Sequence, residues 1–207
     1  FLPISTPKQK IDRIKYFGNN NLDIEIIGSS VDESLEYSKE YSKINNALYV
    51  HPFDDDDVII GQSSVAKEIF DKKNEIDYIL VCVGGGGLLS GIISYINIFN
   101  KKTKIICAEP ENANSLELSI KNNKIISLDN IDTFVDGAAI KKVGSKNYHI
   151  VKDSIDEIYS IPKNEICYNL VDIYQNDGIV LEPAGILGLC LCDRIKEQIH
   201  GKNVVCI

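Results

Sequence analysis

The amino-acid sequence predicts an α/β fold built around a mainly parallel β-sheet. Helical and strand periods alternate along almost the whole chain. Residues 78–83 form a continuous apolar run, and after Lys104 residues 105–108 form a second one. Such runs are typical of strands that are buried on both faces, as in parallel sheets covered by helices. The first run ends abruptly in four glycines, and a helical segment separates it from the second. The centre of the chain therefore predicts a strand, a glycine loop, a helix and another strand.

The first 50 residues predict part of a small α/β domain. Thr6 followed by Pro7 is typical of a helix start, and apolar residues at helical spacing continue as far as Gly18. Ser30, with Glu33 three residues later, predicts a capping box at the start of a second helix. The strands expected in this domain are 23–27 and 47–50.

Residues 51–207 predict a larger, incomplete α/β domain. The helices expected there span about 61–70, 88–99, 115–121, 145–152, 163–175 and 185–198. Two more strands are expected at 158–161 and 203–207. The segment 134–139 is rich in small residues, which predicts a loop.

Four adjacent aspartates, Asp54 to Asp57, precede the first helix of this larger domain. Such a cluster suggests a metal site, but consecutive carboxylates in a loop point in different directions. Aspartates next to a helix N-terminus are stabilised by the helix dipole. We therefore interpret these residues as a helix start rather than as metal ligands.

Composition limits the classes of function. With 22 basic and 30 acidic residues, the chain carries a net charge of −8, which argues against binding to nucleic acid or to anionic membranes. No apolar run is long enough to form a membrane-spanning helix. The 6 cysteines lie mostly in apolar runs and form no CxxC pair, which predicts reduced core thiols in a cytoplasmic protein. Because the chain contains no Met and ends in an apolar run, we expect both ends to be cuts in a longer protein.

The glycine run from Gly84 to Gly87 is the strongest chemical signal in the sequence. Backbone N–H groups that carry no side-chain bulk can approach an anion at the positive N-terminus of a helix. The P-loop of nucleoside triphosphatases is excluded because Leu88 stands where that motif requires a lysine. The run therefore predicts an anion-binding or phosphate-binding site of another kind.

Dinucleotide binding stays open as one such kind of site. The G-x-G-x-x-G motif matches imperfectly, since Leu89 or Ser90 stands at the third glycine position. In favour of this hypothesis, Glu109 follows the next strand about 20 residues later, where an acidic residue would bind the ribose of NAD.

Six sequence blocks together carry a resemblance to a known family. In chain order they are His51-Pro52-Phe53-Asp54-Asp55, Ile60-Gly61-Gln62, Gly84-Gly85-Gly86-Gly87-Leu88, Ala108-Glu109-Pro110, Asp136-Gly137-Ala138-Ala139 and Glu182-Pro183-Ala184-Gly185. With these blocks, the chain resembles the threonine dehydratases, which are pyridoxal phosphate (PLP) enzymes of the fold shared with tryptophan synthase β and serine racemase. The resemblance covers essentially the whole chain and implies a three-layer αβα architecture, PLP fold type II, divided between two domains at about residue 50.

The resemblance also implies roles for particular residues. The amides of Gly84, Gly85, Gly86, Gly87 and Leu88 would bind the 5′-phosphate of PLP, in agreement with the anion site expected from the glycine run. Gly137 and Glu182 would lie close to the cofactor.

A structural monovalent or divalent cation is a further implication of the resemblance. Its ligands would be Glu109 and the backbone carbonyl of Ala113. Ser115 stands where serine racemase has an aspartate ligand.

The activity implied by the resemblance is the PLP-dependent conversion of L-threonine, and of L-serine, to a 2-oxo acid and ammonia. With threonine the product is 2-oxobutanoate, and the reaction is the first step of isoleucine biosynthesis, carried out by a cytoplasmic homo-oligomer, either a dimer or a tetramer. Serine racemase, serine dehydratase and a non-catalytic small-molecule sensor stay open as alternatives.

The lysine that binds the cofactor aldehyde in this family belongs to a segment that precedes the matching part of the chain. The contact to the pyridine nitrogen belongs to a segment that follows it. Lys67 on an amphipathic helix and the adjacent Lys141 and Lys142 are expected to be solvated, so none of them is a candidate for the Schiff-base lysine.

Overall fold

The computed structural model describes residues 1–73, 75–99 and 102–207. Contacts between residues divide the chain into two compact units, Phe1–His51 and Pro52–Ile207. Within the described residues, no helix combines the length and the apolar character that a membrane crossing requires.

The first unit contains the helices α1 (Lys8–Gly18) and α2 (Val31–Asn45). The predicted N-cap of α2 forms, since the Ser30 hydroxyl accepts the backbone N–H of Glu33 at 3.2 Å. The capping box differs from the predicted one, because the Glu33 carboxylate accepts the N–H of Ser29, at 2.7 Å, where the motif would use that of Ser30. At α1 the prediction is off by one residue. The helix begins after Pro7, and the Thr6 hydroxyl donates to the carbonyl of Pro3 at 2.7 Å instead of capping the helix.

The two strands predicted in the first unit are wrong. The segment 23–27 contributes a single parallel bridge, from Ile26 to Leu2, and 47–50 has no strand structure. A strand requires a partner that continues the ladder of hydrogen bonds. Leu2 forms two such bonds, with Glu25 and Ile27, and the Ile4 N–H donates to the Gly28 carbonyl at 2.9 Å, but these bonds amount to a single bridge and not to a continuous ladder.

The described residues of the second unit form a four-stranded sheet in the order β3-β2-β1-β4, in which all neighbouring strands are parallel. The strands are β1 (Tyr78–Cys82), β2 (Lys104–Pro110), β3 (Glu157–Ile161) and β4 (Val204–Cys206). Because all strands run the same way, their carboxyl ends lie at one edge of the sheet. The loops that follow β1, β2 and β3 therefore leave the sheet at this edge.

The helices of the second unit largely follow the predicted pattern. They are α3 (Asp56–Lys72), α4 (Gly87–Ile98), α5 (Ser115–Lys121), α6 (Ser145–Val151), α7 (Lys163–Asp177), α8 (Leu187–Arg194) and α9 (Lys196–Ile199). Helix α3 begins five residues earlier than expected, because the Asp55 carboxylate accepts the N–H groups of Asp57 and Val58 at 2.9 and 3.3 Å. The helix expected at 185–198 is interrupted at Ile195, where ψ is 19°.

Two hydrophobic clusters cover the two faces of the sheet. Ile79 and Val81 of β1 pack with α3 and α4 on one face, whereas Leu80 packs with α7 and α8 on the other. Successive side chains of a strand point to opposite faces, so a strand covered on both sides must be apolar throughout. The predicted α/β fold with a mainly parallel sheet and helices on both sides is thereby confirmed.

The cysteines are distributed between the core and the surface. Cys107 and Cys190 are buried, but Cys167 and Cys206 are exposed. The prediction of core thiols is therefore right for the first two and wrong for the last two. Cys167 lies in α7 beside Ile166, which packs in the hydrophobic cluster, whereas Cys167 itself is exposed.

Candidate functional site

Gly84, Gly85 and Gly86 lie in the loop between β1 and α4, and Gly87 is the first residue of α4, at the carboxyl edge of the sheet. Protein atoms surround this loop closely. A Cβ atom added to Gly84 would lie 2.9 Å from the Cα of Ala138, and one added to Gly85 would lie 2.3 Å from the ring of Phe53. A Cβ on Gly87 would meet Phe53 at 3.0 Å. The separations at Gly84 and Gly85 are shorter than real Cβ contacts, and the one at Gly87 is tighter than most of them, so close packing accounts for the absence of side chains at these positions.

Gly86 is constrained by its backbone conformation as well. Its φ angle is +92°, in the left-handed region where a side chain is strained. A Cβ at this position would also lie 2.9 Å from the Cβ of Asn147. Gly86 therefore combines a conformational requirement for glycine with a steric one.

The backbone N–H groups of this loop remain available to a ligand. Within the described chain, the amides of Gly84 to Leu88 donate no hydrogen bond to a protein acceptor, and the first helical bond runs from Ser90 to the carbonyl of Gly86 at 2.9 Å. The first N–H groups of a helix point out of its N-terminus and carry the positive end of its dipole. The loop thus offers an uncommitted set of amide donors that suits an anion.

Gly137 and Glu182, which are 45 positions apart in the sequence, lie side by side. A Cβ added to Gly137 would meet the Cβ of Ala184 at 2.9 Å and Glu182 Oε1 at 3.6 Å. Ala138, the neighbour of Gly137, packs on Gly84. The structure therefore brings the glycine loop, the loop around Gly137 and the segment that contains Glu182 together at the carboxyl edge of the sheet.

Glu109 lies at the end of β2 and is fully buried. Its two carboxylate oxygens accept the N–H groups of Leu116 at 2.9 Å and Glu117 at 2.7 Å, and so cap the N-terminus of α5. Burial raises the pKa of Glu109 to about 8, even though both hydrogen bonds lower it. Ala113, which follows Glu109 closely in the sequence, is also buried. The buried Ser115 hydroxyl has no hydrogen-bond partner in the described chain.

No cluster of three or more His, Cys, Asp or Glu side chains that could bind a metal ion occurs among the described residues. Three of the four aspartates bind protein groups through their carboxylates. Asp55 caps α3, Asp54 caps α6, and Asp56 forms an ion pair with Lys146 at 2.7 Å. The interpretation as a helix start is confirmed for Asp55, the N-cap of α3, and for Asp56 and Asp57 in its first turn.

The burial of Glu109 predicts a pH-dependent contribution to stability. Its pKa in the folded state, about 8, exceeds the ordinary value of 4.5, so the folded state binds the proton more tightly than the unfolded state. This contribution is fully present below about pH 4.5 and is lost as the pH rises to about 8. Between about pH 5 and pH 8, we expect the free energy of unfolding of the wild type to fall by a few kcal/mol more than that of Glu109→Gln. Each unit of pKa shift corresponds to about 1.4 kcal/mol.

Urea unfolding at several pH values, with EDTA present to remove divalent cations, measures this difference. The Gln variant has one acceptor fewer for the α5 amides, so its stability at low pH should be lower than that of the wild type. Glu111→Gln, at an exposed position two residues away, is the control and should follow the wild type at every pH. Parallel pH profiles for the wild type and Glu109→Gln would contradict the expected role of the buried carboxyl group.

Two residues, Asn147 and Asp54, form hydrogen bonds at or near the glycine loop that the sequence did not predict. The Asn147 amide nitrogen donates to the carbonyls of Phe53 and Gly85, at 2.8 and 2.9 Å. The Asp54 carboxylate accepts three N–H groups at the start of α6. The partners of Asn147 lie 94 and 62 positions away, so no local sequence pattern could identify it.

Comparisons with known proteins agree with this architecture. A family model described as pyridoxal-phosphate dependent enzyme matches residues 1–207. Among curated relatives, the biosynthetic L-threonine dehydratases of Halalkalibacterium halodurans and Bacillus subtilis are 39% and 38% identical to the chain. Each comparison covers 100% of this chain but only 50% or 49% of the relative, so the chain spans about half the length of the curated relatives it matches.

Solved structures are similar over almost the whole chain. The processed form of threonine deaminase isoform 2 from Solanum lycopersicum has a TM-score of 0.87 at 31% identity, covering 99% of this chain and 56% of that one. Maize serine racemase has a TM-score of 0.86 at 27% identity, covering 99% and 62%. These findings confirm the resemblance to threonine dehydratases and to their fold. The chain belongs to the family of pyridoxal-phosphate dependent enzymes.

Proposed function

We propose that the protein is a PLP-dependent ammonia-lyase that converts L-threonine to 2-oxobutanoate and ammonia, and that it also accepts L-serine. This is the first step of isoleucine biosynthesis, and we place the protein in the cytoplasm as a dimer or tetramer. The observation that carries the proposal is the glycine loop between β1 and α4, whose amides have no protein acceptor in the described chain. Curated relatives with 38–39% identity are named biosynthetic L-threonine dehydratases.

The residues of the loop fit the phosphate of PLP. The amides of Gly84, Gly85, Gly86, Gly87 and Leu88 would donate to the phosphate oxygens at the N-terminus of α4, where the helix dipole favours a negative charge. A charged acceptor strengthens each of these bonds relative to a neutral one. The loop would hold the non-reacting end of the cofactor, which fixes the direction in which the ring faces the substrate.

Gly137 and Glu182 would line the site beside the ring. Because Gly137 has no side chain, the chain around it packs directly on Ala184 and leaves the Glu182 carboxylate at the same edge of the sheet as the glycine loop. Bound PLP withdraws electrons from the substrate amino acid and makes its Cα proton acidic. The role of the 207 residues would be to orient the cofactor and to surround it.

The proton transfer itself requires a base, which in the family is the lysine that binds the aldehyde. We propose that this lysine lies outside the 207 residues. Lys67 is exposed and forms an ion pair with Asp71 on the same helix, so it is not aimed at the site. Lys142 is exposed as well.

A cation bound by Glu109 and the Ala113 carbonyl is a separate proposal that rests on the resemblance. Each carboxylate oxygen of Glu109 already accepts an N–H group of α5, so such an ion would bind to the remaining lone pairs. The same hydrogen bonds disfavour NAD binding, since that function would require the Glu109 carboxylate to face a ribose.

Assays of 2-oxo acid release from L-threonine and L-serine, with the full-length protein and added PLP, test the proposed function. We expect product from both substrates and no binding of NAD. Conversion of L-serine to D-serine as the main reaction would favour the racemase alternative. PLP binding without turnover of either amino acid would favour a sensor, and saturable NAD binding without PLP binding would contradict the proposal.

A further inference from the structure

Asn147, in the first turn of α6, is fully buried and contacts the glycine loop. Its side-chain nitrogen donates to two carbonyl oxygens, those of Phe53 at 2.8 Å and Gly85 at 2.9 Å. Both partners are acceptors only, so the amide group has one orientation that satisfies them. The Asn147 side chain therefore links the loop that precedes α3 to the glycine loop.

The Gly85 carbonyl is held by two donors from the same direction. Besides the Asn147 side chain, the backbone N–H of Gly144 donates to it at 3.1 Å. The described chain contains no cis peptide bond, and in a trans peptide the carbonyl and the following N–H point in opposite directions. Fixing the Gly85 carbonyl towards α6 thus directs the Gly86 N–H away from α6. That N–H has no protein acceptor within the described residues.

The start of α6 is itself held in place by Asp54. Its carboxylate accepts the N–H groups of Ser145 and Lys146, each at 2.9 Å, and that of Asn147 at 3.3 Å. Asp54 directly follows Phe53, whose carbonyl Asn147 binds. The two contacts form a closed arrangement in which the loop before α3 fixes α6, and α6 fixes the Gly85–Gly86 peptide.

We propose that Asn147 is a positioning residue that orients the Gly85–Gly86 peptide so that the Gly86 N–H faces the phosphate of the cofactor. This inference rests on the proposed function, because it requires that the glycine loop bind the phosphate. Asn147 touches neither the ring nor the aldehyde of PLP in this role. Its effect is confined to ligands that carry a phosphate group.

The variants Asn147→Asp and Asn147→Ala test the proposal with two ligands, PLP and pyridoxal, which lacks the phosphate. In Asn147→Asp a carboxylate would face two carbonyl oxygens, and in Asn147→Ala the donor is removed without a new charge. Because hydrogen bonds to charged groups are strong, we expect the Kd for PLP to rise about tenfold or more in both variants. The Kd for pyridoxal should change by less than about twofold, since pyridoxal makes no use of the loop amides.

The full-length protein, titrated by fluorescence and followed by ³¹P NMR of the bound phosphate, provides these values. Asn169→Asp and Asn169→Ala are matched controls, because the Asn169 amide also donates to a backbone carbonyl, that of Glu165 at 2.9 Å, but within α7. Both controls should leave the two Kd values unchanged. If Asn147→Asp does not fold, Asn147→Ala alone decides the question.

The outcomes separate this inference from the proposed function. A selective loss of PLP affinity in the Asn147 variants supports the positioning role. Equal losses for PLP and pyridoxal, or unchanged PLP affinity, would overturn it while leaving the proposed function in place. If the wild type binds PLP no better than pyridoxal, the loop does not bind the phosphate, and both the inference and its basis fail.

Discussion

Gly86→Ala is expected to lower the affinity of the protein for PLP by about 100-fold or more. Alanine at the φ of +92° found for Gly86 is strained by about 1–2 kcal/mol, and its Cβ would lie 2.9 Å from the Cβ of Asn147. The backbone strain and the close contact with Asn147 can be relieved if the Gly85–Gly86 peptide rotates. That rotation would turn the Gly86 N–H away from the phosphate and remove a charge-assisted hydrogen bond, which contributes about 1.5–3 kcal/mol.

Titration with PLP at constant protein concentration measures this loss. Gly178→Ala is the matched control, because Gly178 also has a positive φ, +67°, but an added Cβ would meet no atom within 4 Å. Gly178→Ala should be slightly less stable than the wild type, because alanine is strained at a positive φ. Its Kd for PLP should be unchanged. Wild-type affinity for PLP in a folded Gly86→Ala protein would contradict the proposed phosphate site.

Gly91→Ala is expected to destabilise the fold by about 2–3 kcal/mol, although alanine is the better helix former. Gly91 lies in α4 where that helix crosses α3. An added Cβ would lie 2.6 Å from the backbone nitrogen of Ser63 and 2.7 Å from the carbonyl carbon of Gln62. Both are backbone atoms of a helix, which cannot move aside as a flexible side chain can, so the two helices must separate.

Urea unfolding of the variant checks this expectation. Gly61→Ala is the control within the same helix pair, because Gly61 lies inside α3 and an added Cβ would meet nothing within 4 Å. Because the added Cβ contacts nothing, the free energy of unfolding of Gly61→Ala should rise by up to about 1 kcal/mol, from the higher helix propensity of alanine. If Gly91→Ala were as stable as Gly61→Ala, the close approach of α3 and α4 would be wrong.

Sequence reasoning succeeded where neighbouring residues decide the structure. The apolar run that forms β1 and the helix start at Ser30 depend on side chains a few positions apart, and both were predicted correctly. The strand expected at 23–27 failed because a strand depends on a distant partner. The described chain offers Ile26 only the single partner Leu2.

The same distinction between local and distant residues applies to the candidate site. Four glycines that follow a buried strand and precede a helix can be recognised in the amino-acid sequence, and they are enough to predict an anion site at the helix N-terminus. The capping of α5 by Glu109 and the hydrogen bond from Asn147 to the Gly85 carbonyl become visible in the folded structure alone. The physical reason is that a glycine loop is a property of consecutive residues, whereas a buried hydrogen bond depends on where the folded chain brings its two partners together.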